Sequence, residues 1–148
     1  HFGFNIYVLY VFGKSVELSF VSIFGPVRGL LNYILLYAGA LLASSVYSFV
    51  KNQDNPHYNA LGASGAVSAV LFSFIAMYPN SDLSLMFIPI PIKGWILGTL
   101  YLLYSHYMAK KEMDNIGHDA HFWGAVFGFV VTFVFEPKLF GAFISNFV

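Results

Sequence analysis

"GASGAVSAV", residues 62–70, opens a run of small and apolar residues that continues to Met77 and ends before Pro79. Read as a helix from Ser64, the run holds about 15 residues and is roughly 22 Å long, short of the ~30 Å hydrocarbon thickness of a bilayer. A helix that short has one end below a membrane surface, and Ser64 stands at an end. Its hydroxyl, between Gly62 and Gly65, has two readings. Small residues let membrane helices approach closely, and a serine among them is then packing. Alternatively Ser64 is a nucleophile, which requires a base elsewhere in the chain to take its proton.

The rest of the 148-residue chain sets the surroundings of that helix. Hydrophobic residues make up 58% and charged residues 9%, against about 25% charged in a typical soluble domain. There is too little polar surface to wet a globule, and the long apolar runs indicate a polytopic membrane protein. Net charge is zero and cysteine is absent. Nothing therefore points to nucleic acid, and disulfides and thiolate chemistry are excluded.

The fold class expected is all-α, a helical membrane bundle with five helices in this chain. They run from about His1 to Leu18, Val27 to Val50, Ser64 to just before Pro79, Ile92 to Ala109, and Asp119 to Phe135. Gly25–Pro26 punctuates the first connection. "NSDLSLMFIPIPIKG", residues 80–94, is expected to be an apolar loop, because Pro89 and Pro91 forbid a continuous helix. Glu136–Pro137 stops the last helix.

Among the five histidines, His121 stands out, because it heads an apolar helix in "AHFWGAVFGF", and an ionisable side chain inside a membrane segment is rare and usually functional. Gly124 and Gly128 form a GxxxG pattern behind it, which allows close backbone approach. Packing of that face on the "GASGA" helix brings His121 near Ser64. His1 and Asn5, four residues apart, share a helix face and supply polar donors of the kind an oxyanion requires. Asp119 points to a different face from His121, so a dyad without a carboxylate is the simpler arrangement. "HDAH", residues 118–121, offers two imidazoles at i, i+3, but without H-E-x-x-H or a thiolate no metal site is expected.

Together these motifs resemble the rhomboid family of intramembrane serine proteases. "HFGFN" is similar to the family's H-x-x-x-N, "GASG" to its G-x-S-G, and "AHFWGAVFG" to its A-H-x-x-G-x-x-x-G, in the family's order. The resemblance implies Ser64 as nucleophile, His121 as general base, and His1, Asn5 and the Ser64 N–H as oxyanion donors. It implies cleavage of transmembrane protein substrates within the lipid bilayer, with no cofactor, in a multi-pass protein of a bacterial inner membrane. Residues 1–148 then form a rhomboid-like domain that lacks the first of six core helices and the loop after it. A non-catalytic membrane module that binds transmembrane helices is the competing reading; oligomeric state is left open. Two positions depart from the family. Ser68 stands where many members carry an aromatic that packs on the catalytic histidine, and Phe72, one turn on, is the expected substitute. Trp123 occupies a commonly small position. Full activity is expected to depend on loss of one proton from His121, with His118 and His57 dispensable.

Overall fold

The computed structural model describes residues 2–57, 63–85, 88–111 and 117–148. The first rod consists of α1 (Phe2–Val8), a π-helical turn (Leu9–Gly13) and α2 (Lys14–Phe24), joined through helical backbone angles at Val8, Gly13 and Lys14. It runs past the expected end at Leu18. Lys14 and Glu17 sit outside its buried stripe of Val16 and Phe20, and charges on such a face do not break a helix. Gly25 does, with φ 90° and ψ 168°, a conformation essentially confined to glycine. Pro26 then starts α3 (Pro26–Asn52) with its φ already helical. A Cβ at Gly29 would lie 2.6 Å from the Phe20 carbonyl, so the two helices meet backbone to backbone just past the turn.

α3 shows why the bundle belongs in a membrane. Its buried stripe, Gly29, Asn32, Leu36, Ala40, Ser44 and Ser48, is mostly small or polar. Its exposed face carries Val27, Leu31, Leu42, Val46 and Phe49. That is the reverse of a soluble helix and suits a lipid exterior. Three described helices are long and apolar enough to cross a membrane: Gly3–Phe24, Pro26–Asn52 and His118–Phe135.

α4 (Ala63–Met77) is the central helix. Every residue from Ser64 to Ser73 is buried, as are Ile75 and Ala76. α5 (Gly94–Lys111) and α6 (His118–Phe135) complete the five bundle helices that the sequence leads one to expect. Ser73 and Thr132 hydroxyls meet at 2.6 Å between α4 and α6, a buried polar contact where the alternative is hydrocarbon.

Two elements differ from expectation. Two short strands, β1 (Asp82–Leu85) and β2 (Ile88–Lys93), pair antiparallel within the stretch expected to be a loop. Pro89 and Pro91 do exclude a helix, but two apart they share one edge of a strand, and an unpaired edge needs no N–H. An Asp82–Lys93 ion pair of 2.8 Å holds the open end. The chain also resumes after Glu136–Pro137 as a short helix, α7 (Lys138–Ser145). Pro137 ends α6, yet Phe140 and Phe143 lie on one helical face and pack against Phe133 at centroid distances of 5.4 and 5.7 Å.

Candidate active site

The site begins with glycine contacts. A Cβ at Gly124 would fall on the carbonyl of Gly65, and one at Gly128 on the carbonyl of Ala69. The GxxxG face of α6 therefore lies directly on the small-residue face of α4, as the sequence spacing predicts. A Cβ at Gly65 would also lie 3.0 Å from the Ala120 carbonyl. His121 is thus bracketed by Ala120 and Gly124, both of which meet the residue after Ser64. A side chain at 124 would fall on the Gly65 backbone and forbid that approach, and one at 65 would strike Ser44 of α3 as well as crowd α6.

Ser64 and His121 are both buried and line one cavity of about 190 Å³. Asn5 reaches the same cavity from α1, beside Val8. Ser68, Tyr101 and His118 contribute further polar wall. The cavity is therefore a small, partly polar, half-open cleft toward the N-terminal ends of α4 and α6, among helices whose outer faces are apolar.

The face of the His121 ring is covered from α5. Tyr101 stacks on it at a centroid distance of 6.5 Å and an interplanar angle of 29°, within the range of offset aromatic pairs. Phe72 does not take that place. It packs on the far partner, Tyr101, at 5.6 Å. The expectation that Phe72 supports the imidazole is corrected accordingly: α4 presents Phe72 toward α5, and α5 presents Tyr101 toward His121.

Of the other residues singled out in the sequence, His1 and Gly62 lie outside the described residues. Asp119 forms an ion pair with Lys51 of α3 and lines a separate cavity, away from the serine. His57 is exposed in the loop after α3, and His106 lies against Phe122 on the outer side of α5. Trp123 is 41% exposed and packs on Tyr47 at 5.4 Å, so its bulk stays outside the α4–α6 contact. Sequence reasoning set His118 aside, yet its ring is buried in the cavity wall, 6.0 Å from that of His121. The i, i+3 spacing of "HDAH" was the available signal. Among the described residues no group of three or more His, Cys, Asp or Glu converges as a metal site.

The sequence model of the Rhomboid domain family matches residues 1–138. Among curated proteins the chain is similar to RHOMBOID-like protein 12, mitochondrial, of Arabidopsis thaliana, with 30% identity over 134 residues, 84% of this chain and 39% of the relative. It is 25% identical to Rhomboid protein 1, mitochondrial, of Saccharomyces cerevisiae, over 86% of this chain and 36% of the relative. It is 29% identical to the human presenilin-associated rhomboid-like protein, mitochondrial, over 86% of this chain and 32% of the relative. The chain thus spans between 32% and 39% of the length of these relatives. No solved structure matches it.

Proposed function

This chain belongs to the rhomboid family, and we propose that it is an intramembrane serine endopeptidase with Ser64 as nucleophile and His121 as general base. The observation that carries this reading is the single cavity lined by Ser64, His121 and Asn5 inside a bundle with an apolar exterior. A serine hydroxyl is unreactive until a base takes its proton, and the Gly65–Gly124 contact supports an imidazole in reach of it.

In the proposed reaction Ser64 Oγ attacks the scissile carbonyl carbon while its proton passes to the His121 imidazole. The carbonyl oxygen becomes an oxyanion, held by the Asn5 amide and the Ser64 N–H, with His1 joining them by resemblance to the family's H-x-x-x-N. Position 64 suits this role, since N–H groups of a helix's first turn point out of its end and carry the positive pole of its dipole. Collapse of the intermediate breaks the C–N bond, and the imidazolium gives its proton to the leaving amine. Water, deprotonated by the same imidazole, then releases the acyl group and restores Ser64. No cofactor enters.

Substrates on this reading are transmembrane segments reaching the cavity from the lipid bilayer. The relatives named above carry a mitochondrial location in their names, which supports a mitochondrial membrane in preference to the bacterial inner membrane expected from the motifs alone. A fluorophosphonate probe tests the assignment: full-length protein in detergent is labelled at Ser64, and Ser64→Ala removes the label. Labelling that persists in Ser64→Ala overturns it.

A further inference from the structure

Four residues of α4 and α5 form a connected unit around the dyad. Ser68 Oγ donates to the Ser64 carbonyl at 3.0 Å. A serine has one hydroxyl proton, so at the second contact of Ser68, 2.7 Å to Tyr101 Oη, the phenol is the donor. The order is therefore Tyr101 O–H to Ser68 Oγ, and Ser68 O–H to Ser64 C=O. The same phenol ring lies against the His121 imidazole on one side, with Phe72 on another. Ser105, one turn after Tyr101, is buried in the same wall.

We infer that Tyr101 is a positioning residue for His121, and that Ser68 ties its ring to the nucleophile's own backbone. The inference rests on the protease reading and deepens it. The ring that packs on the base comes from α5, a helix that buries only Gly94, Gly98 and Ser105. A ring on so lightly buried a helix needs an anchor, and the Ser68 hydroxyl is that anchor. It refers the ring to the Ser64 backbone, so two hydrogen bonds and one ring contact connect the segment carrying Ser64 with His121. This also accounts for a small hydroxyl residue at position 68, since an aromatic side chain there would compete with Tyr101 for the same space. Tyr101 thus borders one face of the imidazole, at a centroid distance of 6.5 Å, and limits its rotation toward α5.

The test is kinetic, on full-length protein in detergent with a transmembrane peptide substrate, alongside Ser64 labelling and thermal unfolding. Tyr101→Leu removes ring and hydroxyl, and kcat is expected to fall on the order of 10- to 100-fold, as for a misplaced catalytic group, with KM within about twofold. Tyr101→Phe keeps the ring and is expected to lose only a few-fold in kcat, clearly less than Tyr101→Leu. Tyr101→Phe and Ser68→Ala share one hydrogen bond, so each is expected to lower kcat by a few-fold, and the double variant by clearly less than the product of the two losses. A folded Tyr101→Leu with wild-type kcat overturns the inference. If that variant does not fold, fully multiplicative losses in Tyr101→Phe and Ser68→Ala, or none in either, overturn it instead. Wild-type protein that is neither labelled at Ser64 nor active on any transmembrane peptide is a different failure: it removes the protease reading itself.

Discussion

At the scale of single residues, the two histidines of "HDAH" both line the cavity but differ in position. His121 adjoins the Gly65 contact, and His118 lies farther along the wall against Tyr104 at 5.7 Å. His121→Ala is expected to abolish fluorophosphonate labelling of Ser64, whereas His118→Ala keeps the labelling and changes KM; the labelling gel and peptide kinetics read both. Asp119 offers the complementary test. Its carboxylate is engaged by Lys51 at a partly exposed pair, worth at most about 1 kcal/mol. Asp119→Asn is therefore expected to leave kcat within about twofold, where a triad aspartate replaced by its amide costs roughly four orders of magnitude. That Ser64 and His121 come to one cavity was legible in the sequence, because each is polar at the head of an apolar helix and the GxxxG face of one helix matches the small-residue face of the other. Tyr101 was not: "YLLYSHY" places Tyr101, Tyr104 and Tyr107 at successive three-residue intervals, and nothing in the spacing tells which ring meets an imidazole.

At the scale of elements, the α4–α6 contact and the α2–α3 turn each rest on glycine for a different reason. Gly128 lies on the Ala69 backbone, so Gly128→Val must push the helices apart. Overpacking of this kind costs about 1–3 kcal/mol or more, and because Gly124 is one turn away the shift also separates His121 from Ser64. Loss of thermal stability together with loss of kcat is the expected result. Gly25 has open space around its Cβ position, and its constraint is the backbone angle alone. Gly25→Ala is expected to destabilise by about 1–3 kcal/mol in denaturation, with kcat of the folded fraction unchanged, because the turn is at the far end of α3 from the cavity. The GxxxG contact followed from residue spacing. The β1–β2 pairing did not, since the prolines of β2 rule out a helix without indicating that two short strands will pair.

At the scale of the whole molecule, the exposed apolar faces and the buried small and polar stripes agree on a lipid surround. Leu42, 66% exposed on α3, tests it. In a bilayer Leu42→Asp carries an insertion penalty of roughly 3 kcal/mol, while on a wet surface the change would be within about 0.5 kcal/mol. A membrane-insertion assay is expected to show a lowered inserted fraction. Composition and periodicity by themselves determined the helical membrane bundle, the short central helix and the pairing of two small-residue faces. They do so because a bilayer leaves the backbone no alternative to helices, and glycine spacing states where two of them touch. Only the tertiary structure decided what surrounds Ser64 and His121: Tyr101 beside His121, His118 in the wall, Asp119 turned to Lys51, and Phe72 behind Tyr101. Those relations depend on how α5 and α3 rotate against α4 and α6. α5 is apolar over most of its circumference, so its sequence carries no signal that fixes its rotation; the small and polar stripe of α3 marks its inward face, but which residues it meets is set by side-chain packing between helices distant in sequence.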